Sequence, residues 1–401
     1  MPKFCLCRET SIFVHPNISG MPVEIIEVKN SAQVRQFISF PNHLYRHNPN
    51  YVPPLTQDEI NIWDRKENAA LAFSEFKRYI ALKDGKIAGR IAVMINHKEV
   101  EKMGLRKVRF GWLDFIDDRE VSRALLQKAV DYAQQHQMEM IEGPMGFTNL
   151  DKAGMLTMGY DRLATMIGLY NAPYYPQHLE ALGLHKEKEW VEYELEFPEI
   201  LPEKVKKFSA LIAEKYGLQV LHFKNKKEIL PYVFPMFKLL DETYRSLSTY
   251  TPITDEQIQT YKDKYFKLLH KDYIVCIANS QGELVSFAIT MPSYSEALQK
   301  AKGSLFPFGW YHFLQASKKN TRANFYLIGI HPDYQRRGVT SLIFQEIWRN
   351  FSKKGIKYLE TNPELEENKS VQVLWQDYHP VNHKRRRTYS LTVTEQTNLL
   401  L

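Results

Sequence analysis

The sequence predicts an α/β chain of two similarly ordered halves, each a mixed, twisted sheet flanked by helices. Three observations carry that prediction. The chain has 401 residues, about the length of two ordinary domains. Hydrophobic residues make up 44% and charged residues 25%, which supplies a core for either half and argues against disorder or coiled coil. Finally, the order strand, helices, hairpin, strand, helix, strand, helix, strand occurs twice, with little residue identity between the two passes.

In the first half, the β-branched run at 23–29 reads as a strand and a helix follows over 31–45. The Pro- and Asn-rich segment 47–54 cannot continue that helix. Residues 79–96 read as two strands around a turn at Asp84-Gly85, and 108–116 as another. A helix over 120–135 places Val121, Leu125, Ala129 and Tyr132 on one face. A strand at 138–144, a short helix at 175–182 and a strand at 190–197 complete the half.

The second half opens with helices at 227–246 and 255–270, then a hairpin around Gln281-Gly282. An insertion at 293–316 carries the aromatic run SLFPFGWYHFL. A strand at 325–331, a loop, and a helix at 340–353 follow; a strand, a helix and a last strand over RTYSLTV end the chain. The first strand of this half is the least marked. The expected division is an N-terminal extension at 1–21, one unit at 22–200 and a second at 201–401, with the boundary near Pro198 to Pro202. The extension is expected to be ill-structured, as if translation began ahead of the folded unit at Met21.

Composition excludes several classes. Lys and Arg number 53 against 46 Asp and Glu, a net charge of +7, a mild excess that does not by itself call for nucleic acid. Cys5, Cys7 and Cys276 form neither a disulfide framework nor a zinc set, so no metal is expected and a reducing, cytoplasmic setting is. No apolar stretch is long enough to span a bilayer, and residues 1–20 lack the apolar run of a secretory signal.

The most informative run is IGIHPDYQRRGVTSL, residues 328–342. A strand ends at His331 and a helix begins near Thr340. The amides of a helix start are unpaired and its dipole is positive there. Gly338 leaves out a side chain where a ligand would approach closely, and Arg336 and Arg337 add positive charge. This is an anion site suited to phosphate or pyrophosphate; an ordinary strand-to-helix turn with exposed arginines is the competing reading.

At these residues the chain resembles the GNAT superfamily of acyl-CoA-dependent acyltransferases. Pro332, Tyr334, Gln335 and Gly338 match its loop signature, and Thr340 stands where Gly or Ala is usual, small enough still to cap the helix. The resemblance implies a tandem GNAT fold with acyl-CoA as acyl donor. It implies that amides over Arg336, Arg337, Gly338, Val339 and Thr340, with Gln335, hold the CoA pyrophosphate. It also implies that Leu327, Ile328, Gly329 and Ile330 pair with the pantetheine arm and offer an amide to the thioester oxygen. The first half resembles a second copy without the cofactor loop: Asp117-Asp118-Arg119-Glu120 would cap a helix and repel pyrophosphate. Finer matches at Gly143-Pro144, residues 170–175, residues 306–310 and Glu360-Thr361-Asn362 resemble bacterial tandem-GNAT proteins, some implicated in N-acylating sphingoid bases. That implies a small-molecule or lipid amine as acceptor.

An attacking amine must lose a proton. Glu360, beside the cofactor strand, and Glu367, near the next helix start, are the candidate acceptors, with Asn362 and Asn368 orienting the amine; ordered water and a merely solvated or capping acid are the alternatives. Trp375 replaces the Tyr that often protonates the leaving thiolate in this family, so Tyr378, one turn on, is a candidate substitute. Phe306, Phe308 and Trp310 are expected either to line an acyl channel, to touch a membrane surface, or to form a satellite cluster under a loop. The basic run Lys384 to Arg387 is expected at a solvated strand edge, with anionic lipid, the CoA phosphate and, last, nucleic acid as alternatives. The expected function is acyl transfer to a primary amine, in the cytoplasm or at the inner membrane surface; Trp375 and Thr340 favour the rival, a non-catalytic scaffold or acyl-CoA-binding protein. No motif specifies an oligomeric state.

Overall fold

The computed structural model describes residues 22–244, 253–265 and 270–400. The expected extension with Cys5 and Cys7, and the C-terminal ends of the two helices that open the second half, lie outside those residues.

The first half runs β1 (Glu24–Glu27), α1 (Ser31–Leu44), α2 (Thr56–Asn61), then the hairpin of β2 (Ser74–Lys83) and β3 (Lys86–Asn96). Next come α3 (His97–Met103), β4 (Lys107–Phe115), α4 (Arg119–Gln135) and β5 (Met140–Gly143). β6 (Met155–Met158), α5 (Tyr174–Ala181) and β7 (His185–Glu196) follow. The local chemistry explains the joints. Asn30 and Gln33 close a reciprocal capping box at the start of α1, and Asp84 and Gly85, both at positive φ, make the hairpin turn. Val121, Leu125, Ala129 and Tyr132 are all buried on the core face of α4.

The second half runs α6 (Glu203–Tyr216), β8 (Gln219–Leu221), α7 (Val233–Tyr244) and α8 (Asp255–Tyr265). The hairpin of β9 (Ile274–Ala278) and β10 (Leu284–Pro292) is followed by α9 (Ser295–Ala301) and α10 (Gly309–Lys318). Then come β11 (Arg322–Ile330), α11 (Thr340–Lys354), β12 (Tyr358–Thr361), β13 (Glu364–Leu365), α12 (Lys369–Gln372) and β14 (Val381–Thr392).

The two expected sheets join edge to edge into one of 14 strands, in the order β1-β2-β3-β4-β5-β14-β7-β12-β11-β10-β9-β8, with β6 on β14 and β13 on β7. The join is made by exchange. β14, the last strand of the chain, pairs with β5 of the first half, while β7, the last of the first half, pairs with β12 of the second. These two strands then pair antiparallel with each other from Val381↔Glu194 to Ser390↔His185.

This seam corrects the reading of Lys384 to Arg387. The run lies within β14, at the centre of the sheet rather than on an edge. Lys384 and Arg386 are fully buried. The Arg386 Nε donates to Glu192 at 2.5 Å, Lys384 Nζ donates to Glu360 at 2.5 Å, and Arg385 bridges Glu189 and Glu366. Arg387 also pairs with Glu189. The buried Lys384 and Arg386 are closed to lipid head groups, CoA phosphate and nucleic acid, and Arg385 and Arg387 are engaged in ion pairs at the partly exposed flank. A carboxylate from elsewhere in the fold meets each buried cation, which offsets the cost of burying it.

Candidate active site

β11 and β12 run parallel from Arg322↔Tyr358 to Phe325↔Thr361 and then part. Two features part them. The register of β11 against β10 slips past Tyr326, a bulge that bends the strand. On the other side, Pro363 follows Asn362 and the chain turns to β13, which pairs with β7. Among the described residues no strand pairs with β11 on its β12 side beyond Phe325, and side chains meet its carbonyls there instead. Asn362 sits at the fork: its backbone N–H donates to Phe325 O at 3.0 Å and its Nδ2 to Tyr326 O at 2.7 Å. Its buried Oδ1 has no hydrogen-bond partner.

Leu327, Ile328, Gly329 and Ile330 form this stretch. The Ile328 carbonyl accepts the Tyr244 hydroxyl at 3.3 Å, and the Ile330 carbonyl accepts from Thr243 Oγ1 at 3.1 Å and Gln335 Nε2 at 3.2 Å. Beyond it the loop reaches α11. Arg336 and Gly338 both have positive φ, and Arg336 and Arg337 are exposed. Thr340 is the first helical residue, not the cap; Val339 holds the cap position without a side-chain bond, and Ser341 N and Leu342 N donate to Gly338 O and Val339 O. The reason for glycine differs from the expectation. A Cβ on Gly338 would lie 2.9 Å from the Phe208 ring of α6, so the residue serves helix packing and its left-handed turn. A glycine-containing loop with two exposed arginines before a helix start is chemistry that can take an anion such as phosphate.

The acid that the sequence reading passed over is Glu364. Burial pushes its carboxyl up to about 8, with the Glu192 charge adding, against hydrogen bonds from Trp375 and Thr361. Trp375 Nε1 donates to its Oε1 at 2.7 Å, and its buried Oε2 has no partner. Tyr244 lies within reach of its charge: burial first, then Glu364, raises the Tyr244 hydroxyl to about 12. Asn362, Glu364 and Tyr244 thus gather where β11 and β12 part. The signal in the sequence was Trp375, whose buried N–H demands an acceptor nearby.

The other proposed residues fall elsewhere. Burial alone would raise Glu360, but Lys384 and His383 overcome it and hold the carboxyl at about 2; an acid so firmly ionised and ion-paired is a poor proton acceptor at neutral pH. Glu367 is exposed on the turn before α12, and Asn368 occupies the cap position of α12 without a side-chain cap bond. The Tyr378 ring packs on Phe344 at 4.9 Å and Phe197 at 5.6 Å, in the core under α11 and away from the fork. Phe306, Phe308 and Trp310 are neither channel wall nor covered cluster: they are 79%, 72% and 49% exposed. Their insertion enters β11 at Arg322, and the fork opens at the opposite end of that strand.

In the first half the equivalent fork is filled by the chain itself. β4 and β5 are parallel from Lys107↔Met140 to Arg109↔Glu142, but Met145 N then donates to Phe110 O at 2.8 Å and keeps the chain against β4. A Cβ on Gly111 or Gly143 would collide with the opposing backbone oxygen. Tyr174 Oη donates to Phe115 O, and Tyr175 Oη accepts from Phe115 N, so the strand end is occupied. Asp118 caps α4 by accepting from Glu120 N and Val121 N.

This sheet, forked between β11 and β12 and built twice, is the tandem GNAT fold. The chain superposes on a tandem GNAT protein from the clavulanic acid biosynthesis pathway with a TM-score of 0.56, at 11% identity, over 94% of this chain and 100% of that one. It also superposes on a GCN5-related N-acetyltransferase from Sphaerobacter thermophilus with a TM-score of 0.50, at 10% identity, over 94% of this chain and 98% of that one. By sequence, Protein YghO of Escherichia coli (strain K12) is 27% identical over 370 residues, 90% of this chain and 93% of that protein. A bacterial ceramide synthase of Caulobacter vibrioides (strain NA1000 / CB15N) is 23% identical over 378 residues, 92% and 97% of the two chains. No protein-family model matches the chain. Among the described residues no group of His, Cys, Asp and Glu is placed to hold a metal, and no helix is long and apolar enough to cross a membrane.

Proposed function

We propose that the protein is an N-acyltransferase that moves an acyl group from acyl-CoA to a primary amine, with its working site in the second half. The observation that carries this reading is Glu364, a buried carboxyl raised to about 8 at the fork between β11 and β12. A group with that pKa exchanges protons near neutral pH, which a general base for an amine must do.

Bound acyl-CoA would supply the thioester. The edge of β11 from Leu327 to Ile330 would align the pantetheine arm, while the amides over Arg336 to Thr340 and the two arginines would hold the pyrophosphate. Asn362 Oδ1 would accept one N–H of the amine, and Glu364 the proton it loses on attack. Tyr244, kept protonated by burial, would give a proton to the departing thiolate. The filled fork of the first half leaves that half to support the second.

A long-chain amine of the sphingoid type is the acceptor we favour, because a relative similar over 92% of this chain is a bacterial ceramide synthase. Free-thiol release with acetyl-CoA or palmitoyl-CoA, each offered with sphinganine or a short amine, tests the reading. Turnover with palmitoyl-CoA and sphinganine supports it in full. Turnover only with the short pair supports transfer and refutes the lipid acceptor. Binding without turnover, or no binding, leaves the scaffold.

A further inference from the structure

The segment between β10 and β11 presents a row of apolar side chains to solvent: Leu305, Phe306, Phe308, Trp310, Tyr311 and Leu314 are all exposed. Six large apolar residues exposed within ten positions form a patch that asks for a covering partner. Phe306 and Phe308, at 79% and 72%, project from the surface instead of lying flat along it.

The tip is mounted firmly. Gln299 Nε2 donates to Pro49 O at 2.7 Å and Tyr51 O at 2.9 Å, and Thr56 N donates to Gly303 O at 2.8 Å. Phe313 stacks on Tyr294 at 5.2 Å and packs against the first half's core. Trp310 N donates to Leu305 O at 2.9 Å, closing the turn from within. The aromatic tip is therefore held out by both halves, and little ordering cost remains for binding.

Its charge is one-sided. Residues 293–320 carry Lys300, Lys302, Lys318 and Lys319 against the single acid Glu296, and all four lysines are exposed. We propose that this tip docks the protein on an anionic lipid bilayer, with Phe306, Phe308 and Trp310 entering the interface and the lysines meeting the head groups. Aromatic rings suit the head-group level, a projecting tip suits a soft surface better than a flat protein face, and lysines within a few ångströms of anionic lipid add attraction that salt weakens. This docking is independent of the acyl-transfer reading: binding is measured without acyl-CoA or amine.

The test is sedimentation of the full chain with vesicles of phosphatidylcholine alone and of a phosphatidylcholine–phosphatidylglycerol mixture. Binding to the mixed vesicles is expected, weakening as salt is raised. The Phe306→Ser/Phe308→Ser double variant is expected to lose about tenfold or more in partitioning with an unchanged melting temperature, since both rings are solvated in the free protein. Replacing the four lysines by Gln should bring binding down to the level on phosphatidylcholine alone. Absence of binding by the wild type, or full binding by the double variant, overturns the proposal. So does a concentration-dependent dimer that the double variant abolishes without any vesicle binding, because the patch then covers a second copy of this chain.

Discussion

The Trp375 indole N–H donates to the Glu364 carboxylate at 2.7 Å, with the indole ring edge-on to Phe325 at 5.1 Å and to Phe344 at 5.4 Å. Trp375, between β11 and α11, thereby holds one oxygen of the proposed base, while the other is buried without a partner. On the proposed reading, the Trp that stands where Tyr is usual in the resembling family positions that base.

Replacing Glu364 by Gln removes the proton acceptor and keeps the hydrogen bond from Trp375. Thiol release is expected to fall about a hundredfold or more with acyl-CoA binding intact. In the wild type the rate should climb as pH rises through about 8, where the carboxyl becomes ionised; the variant should lack that limb.

The same substitution changes stability with a definite sign. The folded protein holds the Glu364 proton up to about 8, whereas the unfolded chain releases it in the ordinary carboxylate range. Its contribution is present below that range and is lost as pH rises through about 8. Glu364→Gln should therefore melt close to wild type in mild acid and above it in alkaline buffer, by thermal denaturation across pH.

Trp375→Phe keeps most of the packing and removes the donor. The indole hydrogen bond lowers the Glu364 pKa, so its loss should move the midpoint of the pH–rate profile upward. A purely structural role for Trp375 would alter the melting temperature and leave that midpoint in place.

Tyr244→Phe should slow thiol release and spare acyl-CoA affinity, because only the hydroxyl is placed at the Ile328 carbonyl. Tyr378→Phe should leave the rate unchanged, its ring being part of the core with Phe197 and Phe344. Single-turnover kinetics of the two variants separates these outcomes.

At the seam, Arg386→Met leaves the fully buried Glu192 without its cation and should cost about 3–5 kcal/mol in chemical denaturation. The double variant Arg386→Met/Glu192→Met should recover most of that loss, since the charge that needed a partner is gone as well.

The elements were legible wherever local pattern decides them. Apolar spacing marked α4, the Asp84-Gly85 pair marked the first hairpin, and the strand–loop–helix around Gly338 marked the cofactor end of the fork. The rest depends on residues distant in sequence. Lys384 to Arg387 read as a solvated run because their carboxylates are not local: Lys384 meets Glu360 of β12 across the intervening β7, and Arg386 meets Glu192, 194 positions away, only through strand exchange. β14 consequently begins at Val381, well ahead of the apolar stretch that signalled it. Glu360 and Glu364 are four residues apart, in β12 and β13, and look equivalent in sequence. Lys384 ionises the first and burial protonates the second, and neither neighbour is local. The aromatic tip was visible as a composition, but its exposure was set by how α9 and α10 seat on the first half.

The exchange of β7 and β14 also sets an order for synthesis. β5, the rim of the first half's own sheet, finds its outer partner in Val381–Thr392, made more than two hundred residues after β5 itself. Until then that rim is an unpaired edge, open to other nascent chains. Synthesis of β14, not of the first half, is the event that closes it. A chain cut short before Val381 would leave both halves unfinished, and a chaperone that shields exposed strands would be needed most while the second half is still being made.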